Sequence, residues 1–225
     1  MSVERMWTLR ESLSNTSRST VTGRKNRAGV AVNILNRPER EAAMEYLRRK
    51  GTEAPASTLA SKLRITFQQF EQDIERVPEG LRAKQPDQAS WSIHEIVDHL
   101  VESDRPAVAE LRALCAGVSP VTGPIPARLK SPRPFDRPWS ALVGELKNLH
   151  AQILDIVINA GDQTPTAAKA PVTMVIKVPG PSGPEVLEWI DAVDWKAYAQ
   201  TLRIHTHEHR AQVERTLTAL AAAST

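Results

Sequence analysis

The sequence WKAYAQTLRIHTHEHRAQVERTLTAL spans residues 195–220 and has a strong helical period. Its inward positions recur at alternating steps of three and four, the period of a bundle helix with one buried face: Trp195, Tyr198, Leu202, His205, His209, Gln212, Thr216 and Ala219. Two imidazoles and a carboxamide occupy the middle of this stripe, where Leu or Ile would pack best. Because His205 and His209 are four residues apart, both rings can reach one ion. The alternative is that both are core histidines bonded to backbone or carboxylate groups.

The composition is that of an ordinary globular chain. Its 225 residues are 41% hydrophobic and 24% charged, which is enough for one domain with a substantial core and some additional sequence. No run of about eighteen apolar residues is present, so we expect no membrane span. The single cysteine, Cys115, excludes an internal disulfide framework and fits a reducing compartment, which predicts a cytoplasmic location. A lone cysteine on a helical stripe is typical of a small core residue rather than a nucleophile.

The positive charge is concentrated at the start of the chain. Residues 1–38 carry seven basic and two acidic side chains, so they contribute +5 to a net charge of +3 and leave −2 for the remainder. The basic charge is therefore no argument for nucleic acid binding by the folded part. Because residues 1–38 are polar and lack apolar periodicity, we predict a disordered basic extension before a bundle domain at 39–225. We expect that its removal leaves folding and metal content unchanged.

Three further stretches have the stripe of a bundle helix. They run from Ala60 to Val77, from Ile93 to Leu114 and from Leu142 to Ala160. The second begins at an S-x-x-E capping box, in which Ser92 and Glu95 would satisfy each other's backbone amides. With residues 195–220, these stretches predict an all-α fold built as a four-helix bundle.

Other residues indicate where helices begin and end. A short helix from Pro38 should stop at Gly51, and the third bundle helix should stop at Gly161. Asp136 can cap the third helix, and Asp194 should cap the fourth. The connector 117–138 holds six prolines, and a link of this length without regular structure often covers a functional end.

The period changes to two between Gly161 and Asp194. Alternating residues at 172–178 and 186–190 flank the turn sequence PGPSGP, which predicts a small accessory β-hairpin before the last helix. The alternative is that the fourth helix extends back to Glu185.

A third histidine joins the two in the last helix. His99 lies at the edge of the inner face of the second bundle helix, so His99, His205 and His209 all point inward from two helices. Three histidines with an open fourth position commonly hold catalytic zinc, and imidazole equally suits nickel, iron or copper. We therefore predict a divalent metal ion such as zinc, nickel or iron at these three residues.

Two motifs resemble one known family. WSIHEIVDHLVESD (residues 91–104) and HTHEHRAQ (residues 205–212) are similar to W-[ST]-x-x-E-h-x-x-H-L and H-x-x-x-H-x-x-Q of the bacterial DinB/YfiT-like family. The resemblance covers roughly residues 56–222 and implies a four-helix bundle with a long link between its second and third helices. The metal ligands of that family fall on His99, His205 and His209, and its glutamine falls on Gln212.

The resemblance also implies an activity. Known reactions of the wider family mainly transfer bacillithiol, mycothiol or glutathione to electrophiles. We therefore expect a metal-dependent enzyme that transfers a low-molecular-weight thiol to an electrophilic small molecule. The alternatives are a non-catalytic metal-binding bundle and a metal-dependent hydrolase. Bundles of this kind often pair, so the chain could form a homodimer.

The last helix also matches a peptidase pattern. Residues 205–209 read H-x-x-E-H, but such peptidases need a third ligand well downstream, where Glu214 is the one acidic residue after His209. We therefore favour the three-histidine site. We expect Gln212 to hold a ligand in place rather than bind the ion, because an amide oxygen is a weak ligand for metals that prefer imidazole.

The remaining candidates are weighed individually. His207 is two residues from both ligands and should face solvent, whereas His94 and His150 are expected to be structural. Asp104 could line a pocket or be an exposed acid, and Tyr198 could be a core residue or a pocket wall.

Overall fold

The computed structural model describes residues 37–180 and 183–223. Six helices and two strands follow one another in the described ranges: α1 (Pro38–Leu47), α2 (Ala56–Glu75), α3 (Glu79–Arg82), α4 (Ile93–Cys115), α5 (Trp139–Ala160), β1 (Ala170–Gly180), β2 (Gly183–Val193) and α6 (Trp195–Ala222). A π-helical turn, Arg48–Thr52, continues α1, and a 3₁₀ turn, Pro134–Asp136, precedes α5.

The four long helices form the predicted bundle. Helix α4 contacts α5 and α6, and α2 contacts the same two helices, so the four enclose one core. Each stripe from the sequence supplies fully buried side chains to this core, among them Leu63, Phe70, Ile96 and Leu146. In the described ranges, no helix has the length and apolar character needed to cross a membrane.

Two helix starts have the predicted caps. The Ser92 hydroxyl accepts a hydrogen bond from the Glu95 amide, and the Glu95 carboxylate accepts one from the Ser92 amide, which completes the capping box of α4. Asp194 accepts bonds from the amides of Lys196 and Ala197 at 3.0 and 3.1 Å. These caps fix the starts of the two helices that carry the three inward histidines.

The predicted cap of α5 is wrong. Asp136 ends the 3₁₀ turn and pairs with Arg133 at 3.0 Å, while the residue before α5 is Pro138, which makes no side-chain cap. The chain is extended at Arg137, so the Asp136 side chain lies too early in the sequence to cap the first turn of α5. The predicted stop of the same helix at Gly161 is confirmed, and its φ of 61° is one that glycine adopts without strain.

The sequence predicted that the first helix stops at Gly51, and this prediction is wrong. Gly51 lies buried inside the π-helical turn, which continues to Thr52. A β-carbon at this position would lie 2.6 Å from the Cα atom of Ala197. Glycine is therefore required by the close approach of this turn to the first turn of α6, not by helix termination.

The predicted hairpin is confirmed, and the alternative extension of the last helix is wrong. Strands β1 and β2 are antiparallel, with Met174 opposite Trp189 and Ile176 opposite Leu187. These four side chains are buried against the bundle, and the alternate residue Ile190 is exposed. The alternation of the sequence thus separates the packed face of the hairpin from its solvent face.

The first helix begins one residue before the predicted domain boundary, at Pro38. Arg37 precedes it and pairs with Glu39 and with Glu185 of the hairpin, at 3.1 and 3.4 Å. Residues 1–36 lie outside the described residues, so the disorder of the basic extension stays a prediction.

We predict that Gly51→Ala destabilises the protein by about 1–3 kcal/mol, because the added methyl group meets backbone atoms that cannot rotate away. Gly144→Ala is the matched control: Gly144 lies in α5 with no atom within 4 Å of an added β-carbon. That change should stabilise by about 0.5–1 kcal/mol, because it reduces the backbone freedom of the unfolded chain. Urea unfolding of both variants measures the difference, and equal stabilities would contradict the close-approach argument.

Candidate metal centre

Three histidines meet at one point between α4 and α6. The Nε2 atom of His205 lies 2.9 Å from that of His99 and 3.1 Å from that of His209. The candidate ligand atoms of the three side chains all lie within 4.8 Å of one another. His99 and His209 are buried, and His205 is half-buried. The structure thus brings together the three histidines that the sequence placed on inward faces.

The second nitrogen of two of these rings is held by a fixed acceptor. His99 Nδ1 lies 2.6 Å from the carbonyl oxygen of Leu129, and His209 Nδ1 lies 2.7 Å from Oε1 of Gln212. Because a carbonyl oxygen accepts only, each Nδ1 carries a hydrogen and donates it, which leaves each Nε2 directed toward the other rings. Gln212 therefore lies where we expected it, beside a candidate ligand.

This donor set fits a divalent cation. The Nε2 atoms of His99 and His209 each lie about 3 Å from that of His205, so one cation between the three rings could replace the ring-to-ring hydrogen bonds. Three imidazoles are the donors that zinc, nickel and iron accept, and bonds to the second ring nitrogens are typical of metal-binding histidines. That His99, His205 and His209 bind an ion stays a prediction.

The Pro-rich connector covers this end of α4. Ser131 donates to the Asp98 carboxylate through its amide and its hydroxyl, both at 2.8 Å, and Lys130 Nζ lies 2.7 Å from Glu95. These bonds hold Leu129 in place over His99. Sequence reasoning missed Leu129 because a backbone carbonyl has no residue signature; the length of the connector was the one available signal.

An aromatic side chain packs on the histidines. The centroid of the Trp91 ring lies 5.1 Å from that of His99 and 6.3 Å from that of His209. The planes of the Trp91 and His209 rings are nearly parallel, 11° apart. Lys130 Nζ lies 4.8 Å from the Trp91 ring centroid, within cation–π distance. Trp91 therefore restricts the rotation of both buried imidazoles.

Glu95 is explained by capping, as expected. Burial would raise the pKa of Glu95, but bonds from Lys130, from the Ser92 amide and from Gln85 outweigh it and hold that pKa below its ordinary value. The carboxylate is thus ionised and committed to the helix start.

The other histidines lie apart from the cluster. His94 Nε2 lies 2.9 Å from the carbonyl oxygen of Pro134, and His207 is exposed. His150 stacks on Phe67 at 3.8 Å, and its Nδ1 lies 2.7 Å from Glu71. Their positions agree with the predicted structural and solvent-facing roles.

The single cysteine is not activated. Cys115 is half-buried at the last residue of α4, and burial raises the pKa of its thiol to about 11. The thiol is therefore protonated at neutral pH, as expected for a packing residue.

A cavity of about 140 Å³ lies beside the histidines, between α4, α6, β1 and the connector. His99 and His205 form part of its wall. Asp104 also lines the cavity and is buried, so it is a pocket residue rather than an exposed acid. Burial raises the pKa of Asp104 to about 6, although His150 opposes the shift. Tyr198 lines the cavity as well and donates to Glu110 at 2.6 Å, so it serves in both the core and the wall.

The fold and the cluster define a class: a four-helix bundle with a long second connection and three inward histidines on two helices. No protein-family model and no curated protein matches the chain. Among solved structures, the chain is similar to YfiT from Bacillus subtilis, described as a probable metal-dependent hydrolase with an unusual four-helix bundle topology. The two share 14% sequence identity with a TM-score of 0.54, over 74% of this chain and 87% of YfiT. The likeness confirms the predicted DinB/YfiT-like resemblance at the level of the fold.

We predict that Gln212→Leu retains the fold but binds zinc roughly 10- to 100-fold more weakly, because it removes the acceptor that holds His209 Nδ1. Competition with a chromophoric chelator measures the affinity. Gln200→Leu is the control, because Gln200 is a buried amide on the same helix that bonds to Tyr46 instead. Equal zinc affinity in wild type and Gln212→Leu would rule out the positioning role.

Proposed function

We propose that this protein is a metal-dependent hydrolase whose divalent ion is held by His99, His205 and His209. The observation that carries the proposal is the convergence of three imidazole Nε2 atoms beside a cavity. Leu129 and Gln212 orient two of the rings, so the site is arranged before any ligand enters. The description of YfiT as a probable metal-dependent hydrolase supports the same class of reaction.

The metal would be zinc, nickel or iron, the ions that three imidazoles favour. Such an ion supplies Lewis-acid catalysis and lowers the pKa of water toward neutrality. Leu129 and Gln212 keep two of the rings aligned, and Trp91 shields the same two from solvent. The cytoplasmic location and the homodimer stay predictions.

We assign the proton-accepting role to Glu208. Its side chain lines the cavity together with His99 and His205, although it is adjacent in sequence to His209. A carboxylate beside the reacting water can take its proton during attack on a carbonyl or similar centre. The H-x-x-E-H pattern of the last helix thus contributes its acid to the site, while the third histidine comes from α4 rather than from a downstream residue.

Thiol transfer is the second candidate, since the sequence resemblance implies it. The charge of the cavity argues against the common anionic thiols: three carboxylates line it, on Asp104, Glu110 and Glu208, and no Lys or Arg belongs to the described lining. Glutathione carries two carboxylates of its own, which this wall would repel. Water carries no charge and meets no such barrier. A non-catalytic bundle would bind the same ion without turnover.

We predict about one divalent ion per chain in purified protein, measured by elemental analysis. His99→Ala, His205→Ala and His209→Ala should each lose most of the ion, because each removes one of three donors. His207→Ala is the control, since His207 lies on the same helix but is exposed. Full metal content in His99→Ala would show that the ligand set is wrong.

We predict that hydrolysis of activated esters and amides depends on the metal and not on added thiol. Chelation should abolish the turnover, and Glu208→Gln should lower kcat roughly a hundredfold or more while metal content is retained. Steady-state rates with and without a low-molecular-weight thiol separate the two candidate reactions. Turnover only in the presence of thiol would replace the hydrolase with a transferase, and no turnover with either would support the non-catalytic bundle.

A further inference from the structure

The cavity has a marked charge asymmetry. Two of its acidic side chains, Asp104 and Glu110, are at least nine-tenths buried, and a third, Glu208, is half-buried. Much of the remaining wall is apolar, with Ile125 of the connector and Val172 of β1 among its residues. Buried carboxylates are costly unless cations or hydrogen-bond donors face them. The donors available to each acid therefore indicate what the cavity binds.

Glu110 has its donors within the protein. It accepts hydrogen bonds from the Tyr198 hydroxyl at 2.6 Å and from the Thr122 hydroxyl at 3.0 Å. Burial and the neighbouring Glu110 both raise the pKa of Tyr198, so the phenol keeps its hydrogen and remains a donor. Glu110 is thus a carboxylate of fixed orientation that adds negative potential to the cavity.

Asp104 lacks such donors. Its Oδ2 atom makes no hydrogen bond with any described residue, although the side chain is only 3% exposed. The polar atom it faces is His150 Nε2, at 3.6 Å. His150 Nδ1 lies 2.7 Å from the Glu71 carboxylate, and His150 Nε2 likewise makes no hydrogen bond with a described residue.

The His150 ring is held in this position relative to Asp104. It is stacked on Phe67 with planes 3° apart and is held by Glu71 on the other side. Asp104 is therefore a buried carboxylate in the wall of a cavity, with one oxygen, Oδ2, that accepts no hydrogen bond from a described residue. A ligand that brings an N–H donor and positive charge would satisfy it.

A second metal ion does not fit this need. An ion site needs at least three His, Cys, Asp or Glu side chains whose ligand atoms lie close together. Over residues 37–180 and 183–223, the histidine cluster is the one group that meets this condition. Asp104, Glu110 and Glu208 are thus too dispersed to form a second metal site, whereas an organic cation needs only one close carboxylate and a favourable surrounding potential.

We propose that the cavity binds a small organic cation, an ammonium group on an apolar body, with the ammonium at Asp104 and the body against the apolar wall beside the histidines. This inference rests on the proposed function in one respect: it names the substrate class of the same cavity. The binding itself requires the acids and the apolar wall, not the metal.

The test uses three probes of similar size that differ in charge: n-butylammonium, n-butanol and butyrate. Isothermal titration calorimetry with zinc-loaded and with chelated protein gives six affinities. We expect n-butylammonium to bind roughly 10- to 100-fold more tightly than n-butanol in both forms, the gain of a charge-assisted hydrogen bond in a buried site. Butyrate should not bind the chelated protein.

Asp104→Asn should remove this preference, because it preserves the shape of the side chain and removes its charge. The control is Asp155→Asn, which changes an exposed acid of α5 in the same way and should bind as the wild type does. Circular dichroism checks that both variants are folded. The comparison of probes on the wild-type protein does not depend on any variant, so it tests the proposal even if Asp104→Asn fails to fold.

Three results would overturn the proposal. Equal affinities for n-butanol and n-butylammonium would show an apolar pocket only. Tighter binding of butyrate to the zinc-loaded protein than of n-butylammonium would show an anion site. Loss of n-butylammonium binding in His205→Ala but not in Asp104→Asn would place the probe at the histidines. Zinc content of the same samples reports separately on the proposed function, so zinc without cation binding refutes only the inference, and cation binding without zinc refutes only the metal site.

Discussion

Three imidazole rings lie where a four-helix bundle would otherwise place leucine, and each buried nitrogen must have a partner. For His99 that partner is the Leu129 carbonyl, and for His209 it is Gln212 on the same helix. This requirement determines much of the surrounding structure. The connector must cross α4 at one place, and it is held there by the bonds from Ser131 to Asp98. The remaining ring nitrogens converge on one point, where we propose that a cation binds.

The parts of the fold that follow from local periodicity were predictable from the sequence. The four stripes, the capping box at Ser92 and the hairpin each depend on residues close together in the chain, and all three are confirmed. The errors have a different origin. Gly51 has the sequence signature of a helix stop, but its requirement comes from contact with Ala197, 146 positions away in the numbering of the chain. A single sequence does not contain that information.

The site was predictable to a similar depth. The spacing of His205 and His209 and the inner face of α4 were enough to bring three rings together. The partner of His99 was not, because any residue at position 129 offers the same carbonyl. Nor did the sequence reveal that Asp104 faces His150, since α4 and α5 meet through packing that no local pattern specifies. Contacts between residues distant in the chain thus account for most of what the sequence left open.

The charge of the cavity limits what the sequence resemblance implies. The resemblance rests on the histidine motifs, which supply the proposed metal donors and are compatible with water or a thiol as the nucleophile. We propose that specificity depends on residues other than the histidines, on the wall formed by Asp104, Glu110 and the apolar connector. A bundle can therefore keep one metal centre and take substrates of different charge, because the two features reside on different residues.

The position of the histidines also depends on the distant start of α6. Asp194 caps this helix, and the buried Lys196 bonds to the Ala54 carbonyl and to Asp162, so its first turn is fixed to both neighbouring segments. His205 follows Lys196 by nine residues, about 14 Å along a helix that rises about 1.5 Å per residue. Because an α-helix transmits a shift or rotation of its first turn along its length, contacts made at Gly51 and Lys196 set the position of an imidazole that neither residue touches. Precise donor geometry in this bundle is thus a property of how α6 begins as much as of the histidines themselves.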